Sequence, residues 1–184
     1  MTARRLFVFA FAAALLAGFG CSNDSPTGSG SSPALACTDG GNAAANGVNT
    51  NCAGAVDTET EQVDVVMGGP AAGFTTLRGL NFDVVYDEDK LVFLPSATYT
   101  SPLFPAALIA VTSTVAGRVV VGIQQPGGSG AVNVPTGQHV VLSLVFQRAP
   151  VATFPPTPLT LQNTEATSAS TGISFASGTA IAYQ

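Results

Sequence analysis

Residues able to do acid–base, nucleophilic or metal chemistry are few in this 184-residue chain, and their spacing argues against an active site. There is one histidine, His139. Its alternation with Val140, Leu142, Leu144 and Phe146 predicts the outer face of a strand. A general base there would need a partner in reach, and no Gly-x-Ser-x-Gly elbow accompanies it. Asp87, Glu88 and Asp89 supply carboxylates, but side by side in one turn, whereas glycosidic chemistry needs two that flank a substrate. Gly127-Gly128-Ser129-Gly130 lacks the lysine and following helix of a phosphate loop. Asp39-Gly40-Gly41-Asn42 lacks the alternating acids and closing Glu of a calcium loop, and reads as a turn. The expectation is a binding protein rather than an enzyme, with no metal site and no cofactor.

Cysteine is the remaining reactive type, present three times as Cys21, Cys37 and Cys52. Arg4 and Arg5 precede an apolar run over residues 6–17, a suitable length for the core of a signal peptide and too short to span a bilayer. The following Ala17-Gly18-Phe19-Gly20-Cys21 resembles a bacterial lipobox, with Gly18 and Phe19 where the usual pattern has Leu and a small residue. That resemblance implies a lipoprotein signal peptide over residues 1–20 and a lipid anchor on Cys21. Ser22 stands where an Asp would signal inner-membrane retention, which favours the outer membrane or cell surface. Cys37 and Cys52 are then left as a pair in an oxidising compartment. They are expected to form a disulfide worth on the order of 3 kcal/mol, the alternative being two free thiols. Residues 21–52, rich in Ser, Gly, Pro, Thr and Asn, read as a low-complexity tether that carries this loop.

The elements that would position any site are strands. The chain is 46% hydrophobic but only 9% charged, against a usual charged share of about 25%. Six Lys plus Arg and a net charge of −5 argue against a nucleic-acid partner. The clearest stretch is Leu80 to Leu94. Leu80, Phe82, Val84 and Tyr86 share one face, Asn81, Asp83 and Asp87 share the other, and an acidic turn leads into Leu91. Similar patterns predict strands near residues 62–67, 107–114, 118–124, 138–147, 157–162, 173–176 and 179–184. Pro158 suggests that the strand over 157–162 is an edge. No amphipathic helix of useful length appears. The pattern predicts an all-β sandwich over residues 53–184.

Gly79-Leu80-Asn81-Phe82-Asp83-Val84-Val85-Tyr86-Asp87 followed by Leu91-Val92-Phe93 resembles the early strands of cohesin domains. Gly117-Arg118-Val119-Val120-Val121-Gly122-Ile123, the strand ending Leu144-Val145-Phe146, Pro158-Leu159-Thr160-Leu161 and Ser177-Gly178 keep that family's order. The resemblance spans residues 62–184. It implies a nine-stranded jelly-roll β-sandwich whose exposed sheet face binds dockerins, small calcium-loaded modules of other proteins. It also implies that the partner-binding face includes Asn81 and Asp83. Two other readings stand beside it: a polysaccharide-binding module, for which Tyr99 and Phe104 are the only plausible exposed aromatic pair, and a structural envelope lipoprotein without a discrete ligand.

Overall fold

The computed structural model describes residues 34–127 and 130–183. Expectations for the signal peptide, Cys21 and the first part of the tether, residues 21–33, lie outside these residues. Within them the chain forms β1 (Leu35–Asp39), β2 (Gly47–Asp57), β3 (Thr60–Gly68), β4 (Phe74–Leu77), β5 (Gly79–Val85), β6 (Leu91–Leu94) and β7 (Leu108–Val115). These are followed by β8 (Arg118–Gln124), β9 (Val132–Pro135), β10 (Gln138–Arg148), β11 (Phe154–Thr167), β12 (Ser174–Phe175) and β13 (Thr179–Tyr183). One sheet has the order β1-β13-β11-β5-β8-β7, a second β12-β2-β3-β10-β6, and β4 pairs with β9 as a separate ribbon.

Alternation explains how the two large sheets pack. Leu80, Phe82 and Val84 of β5 and Val119, Val121 and Ile123 of β8 turn inward from one sheet. Val63, Val65 and Met67 of β3 and Leu142, Leu144 and Phe146 of β10 meet them from the other, in one continuous core. Phe146 anchors it edge-to-face against Tyr86, with ring centroids 5.3 Å apart, and against Phe93 at 5.8 Å, geometries that aromatic quadrupoles favour.

The domain begins earlier than residue 53. β1 pairs with β13 and β2 with β3, so both belong to the sandwich rather than to a tether. Leu35 and Val48 are in the core. The Cys37–Cys52 disulfide links these two strands, and hence the two sheets, with Cα atoms 5.8 Å apart. Thirteen strands, not nine, are present among the described residues; the additions are β1, β2 and the β4–β9 ribbon.

Two further expectations are corrected by local geometry. β11 is not an edge strand, because it lies between β13 and β5. Its prolines nonetheless obey the rule behind that expectation. Pro158 pairs only with β13, and β5 joins the ladder from Thr160 onward, so the prolines occupy a stretch with one open side. In β10 a register shift between Val140 and Leu142 turns Val141 into the core. The bulge reverses the phase of everything before it. His139 therefore pairs with the core residue Met67 and is not on the outer face.

Candidate functional site

The outer face of β11, β5, β8 and β7 carries the two residues singled out from the sequence. Register sets its rows: Asn81 lies beside Gly122 and Glu165, and Asp83 beside Val120 and Gln162. On β7, Ala110 and Thr112 extend these rows. The structure thus brings Asn81 and Asp83 onto one face, but in different states. Asn81 is exposed, whereas Asp83 is only 3% exposed although its phase is outward.

Two residues not foreseen from the sequence account for that burial. Arg118, at the start of β8, forms an ion pair and hydrogen bond with Asp83 Oδ2. Asn163 donates its side-chain amide to the same oxygen. Asn163 sits in a β11 bulge with φ of 48°, a conformation asparagine tolerates better than most residues. A polar residue in an interrupted strand pattern was the available signal for it. For Arg118 no signal existed, because alternation does not say which strands become neighbours.

The face dips around this cluster. A Cβ at Gly122 would stand in ordinary contact with Asn81 Oδ1, 3.4 Å away, so a larger side chain there would cover part of the face. Its absence helps open a shallow depression of about 340 Å³ floored by Val121 and walled by Asp83, Thr112, Arg118 and Asn163. Arg118 Nε is buried without a partner among the described residues. Apolar side chains flank the depression: Leu108, on β7, is 69% exposed, and Val115 and Val120 also face solvent. A hydrogen-bonded polar centre beside exposed aliphatic residues suits the recognition of a folded surface. It offers no nucleophile paired with a base.

The other sequence candidates lie elsewhere. Asp87 forms an ion pair with Lys90 at 2.7 Å in a surface turn, and its carboxylate also accepts the Asp89 N–H. The Lys90 interaction, above all, holds the Asp87 carboxyl below its ordinary value of 3.8. Phe104 is buried in the core, while Tyr99 is half-buried with its hydroxyl accepting the Ser96 N–H. The expected exposed aromatic pair is therefore not formed. Phe74, in the unforeseen β4, is an exposed aromatic instead. Among the described residues no three His, Cys, Asp or Glu side chains gather to hold a metal, and no helix is long and apolar enough to cross a membrane.

Comparison with known proteins finds no matching family model and no matching curated protein. Solved structures do match. A non-cellulosomal cohesin from Archaeoglobus fulgidus superposes with a TM-score of 0.52 at 17% identity, covering 72% of this chain and 86% of that one. The sixth cohesin of scaffoldin B from Acetivibrio cellulolyticus, solved with a mutant dockerin, gives 0.52 at 13%, covering 72% and 95%. The seventh type I cohesin of ScaB from Pseudobacteroides cellulosolvens gives 0.52 at 13%, covering 72% and 88%. The described part of this chain is an all-β sandwich with the cohesin fold.

Proposed function

We propose that the chain is a non-catalytic envelope module that docks a dockerin-type partner through the outer face of β11, β5, β8 and β7. One observation carries this reading: Asp83, held by Arg118 and Asn163, forms a preorganised polar centre beside the exposed Val120, with the exposed Leu108 two rows further along the same face. Fixed hydrogen-bonding groups cost little ordering on association, and apolar neighbours supply burial. Matched cohesins solved together with dockerins agree with the reading.

The proposal includes export and attachment through a lipid on Cys21. The Cys37–Cys52 disulfide supports export, because such bonds persist in oxidising compartments. Mass spectrometry of the mature amino terminus tests the lipid directly.

Affinity capture tests the partner. The full-length chain is presented to the host's envelope and secreted proteins with calcium, and again with chelator. Calcium-dependent capture of a protein bearing paired calcium-loop repeats is the expected result, lost in Leu108→Asp and weakened in Asn81→Ala. Capture that survives chelation, or that both variants retain, removes the dockerin reading.

A further inference from the structure

A second depression shares no lining residue with the docking face. It lies where the loop after β6, the end of β8, the strand β9 and the start of β10 meet, and encloses about 660 Å³. That is within the size range of small-ligand sites. Its floor is aliphatic, with Leu103 and Val132 among its residues, and its wall carries no carboxylate, ammonium or guanidinium. The polar groups are the amides of Gln125, Asn133 and Gln138 and the imidazole of His139.

These polar groups differ in what the fold asks of them. Gln138 is committed, since its amide bonds both the N–H and the carbonyl of Ala43, at 3.0 and 2.8 Å. His139 Nε2 lies 3.0 Å from the Pro135 carbonyl, an interaction that requires it to be the donor; the other ring nitrogen has no partner among the described residues. Gln125 is only 4% exposed, yet its Oε1 has no donor among the described residues. Buried acceptors are nearly always paired, so an orphaned one beside a cavity calls for an explanation.

We infer that the depression formed by Gln125, Asn133 and His139 over Leu103 and Val132 is a binding site for an uncharged saccharide. Among the described residues its lining offers an ionic ligand no carboxylate, ammonium or guanidinium as counter-charge. A neutral sugar matches both halves of the lining. Its hydroxyls donate and accept, as the exposed amide of Asn133 requires, and would supply the donor that the enclosed Gln125 Oε1 lacks once that amide turns toward the depression. Its C–H faces cover aliphatic floor. Phe74 is not part of the lining but stands on the face of the ribbon that carries Asn133. It is paired with Pro135 in the same ribbon that presents Asn133, and it is 61% exposed, an apolar surface on which a second sugar unit can rest. The proposal stands independently of the docking reading.

Saturation-transfer NMR on the full-length chain tests it with cellobiose, xylobiose, maltose and diacetylchitobiose, alongside glucuronic acid and a proline-rich peptide. Transfer to at least one neutral disaccharide is expected. Asn133→Ala, at an exposed position, and Gln125→Leu, which keeps volume but removes the amide, each weaken it by roughly tenfold or more. Leu108→Asp leaves it unchanged, which separates this site from the docking face. The proposal is overturned if no neutral disaccharide receives saturation, if both depression variants bind as well as the parent, or if only the acid or the peptide binds.

Discussion

Asp83 and Glu61 are carboxylates left equally buried by the fold, each 3% exposed, in opposite sheets. Asp83 looks outward from β5 and is covered by Arg118 and Asn163, which meet one of its oxygens. Glu61 lies at an inward phase of β3, in register with Phe146 of β10 and Ala55 of β2. The nearest arginine by sequence pairing, Arg148, is engaged elsewhere. It bonds Glu59 at 2.7 Å and lies over the Tyr183 ring at 4.0 Å. Burial, offset in part by the Gly54 N–H, pushes the Glu61 carboxyl above its ordinary value of 4.5. Partnership rather than burial therefore separates a carboxylate that the fold satisfies from one that only burdens the folded state.

Removing the partner of Asp83 should collapse that difference. Arg118→Ala leaves a buried charge with Asn163 alone, a change that costs several kcal/mol when the pair is fully enclosed. Arg118 is itself partly open to solvent, which lowers the expectation to about 1–3 kcal/mol. Urea unfolding at neutral pH measures it. Asp83→Asn added to Arg118→Ala should recover part of the loss, since no unpaired charge remains. Equal stability of Arg118→Ala and the parent would mean that Asp83 draws no net benefit from its partner.

Glu61 predicts the opposite response. A carboxyl whose folded value is raised takes up its proton more readily in the folded state. Its unfavourable contribution is absent below the unfolded value of 4.5. It grows as pH rises from there and is complete only above the folded value. Glu61→Gln should accordingly raise stability at pH 7 and make no difference near pH 4. Paired denaturation curves at the two pH values check this. A gain of the same size at both would point to packing rather than charge.

The contrast between these acids also shows where sequence reading runs out. Nine strands were legible because their apolar residues alternate, as Val119, Val121 and Ile123 do in β8. β1, β2, β4 and β9 were not, because short or polar strands hide that pattern. β2 buries Asn49 and Thr50, and β4 buries Thr75. Those side chains are hydrogen-bonded, Asn49 to the Gly41 carbonyl, Thr75 to Asn46 and the Thr50 hydroxyl to the Gly178 N–H, so their burial leaves no hydrophobic trace. Asn81 and Asp83 could be placed on one outward face by phase alone. Arg118 could not, because it reaches Asp83 from a position 35 residues away. His139 was misplaced by one extra residue at the β10 bulge, which inverts a period-two pattern without altering composition.

Asp87 supplies the solvated end of the same comparison, with the smallest expected effect. It is a partly exposed acid whose partner, Lys90, is three residues on, and their attraction lowers its carboxyl value. A depressed folded value adds stability above the unfolded value of 3.8 and loses it as pH falls through the folded one. Asp87→Asn should therefore reduce stability slightly at pH 7 and not at all at pH 2, the reverse of the Glu61→Gln profile. High salt should erase the pairing part of that loss, since exposed pairs are screened. A remainder that survives salt would belong to the turn itself, where the Asp87 carboxylate accepts the Asp89 N–H and its carbonyl accepts those of Lys90 and Leu91. Thermal unfolding of Asp87→Asn and Lys90→Met, each at low and high salt, separates the two, because only the first variant alters the side chain that caps the turn.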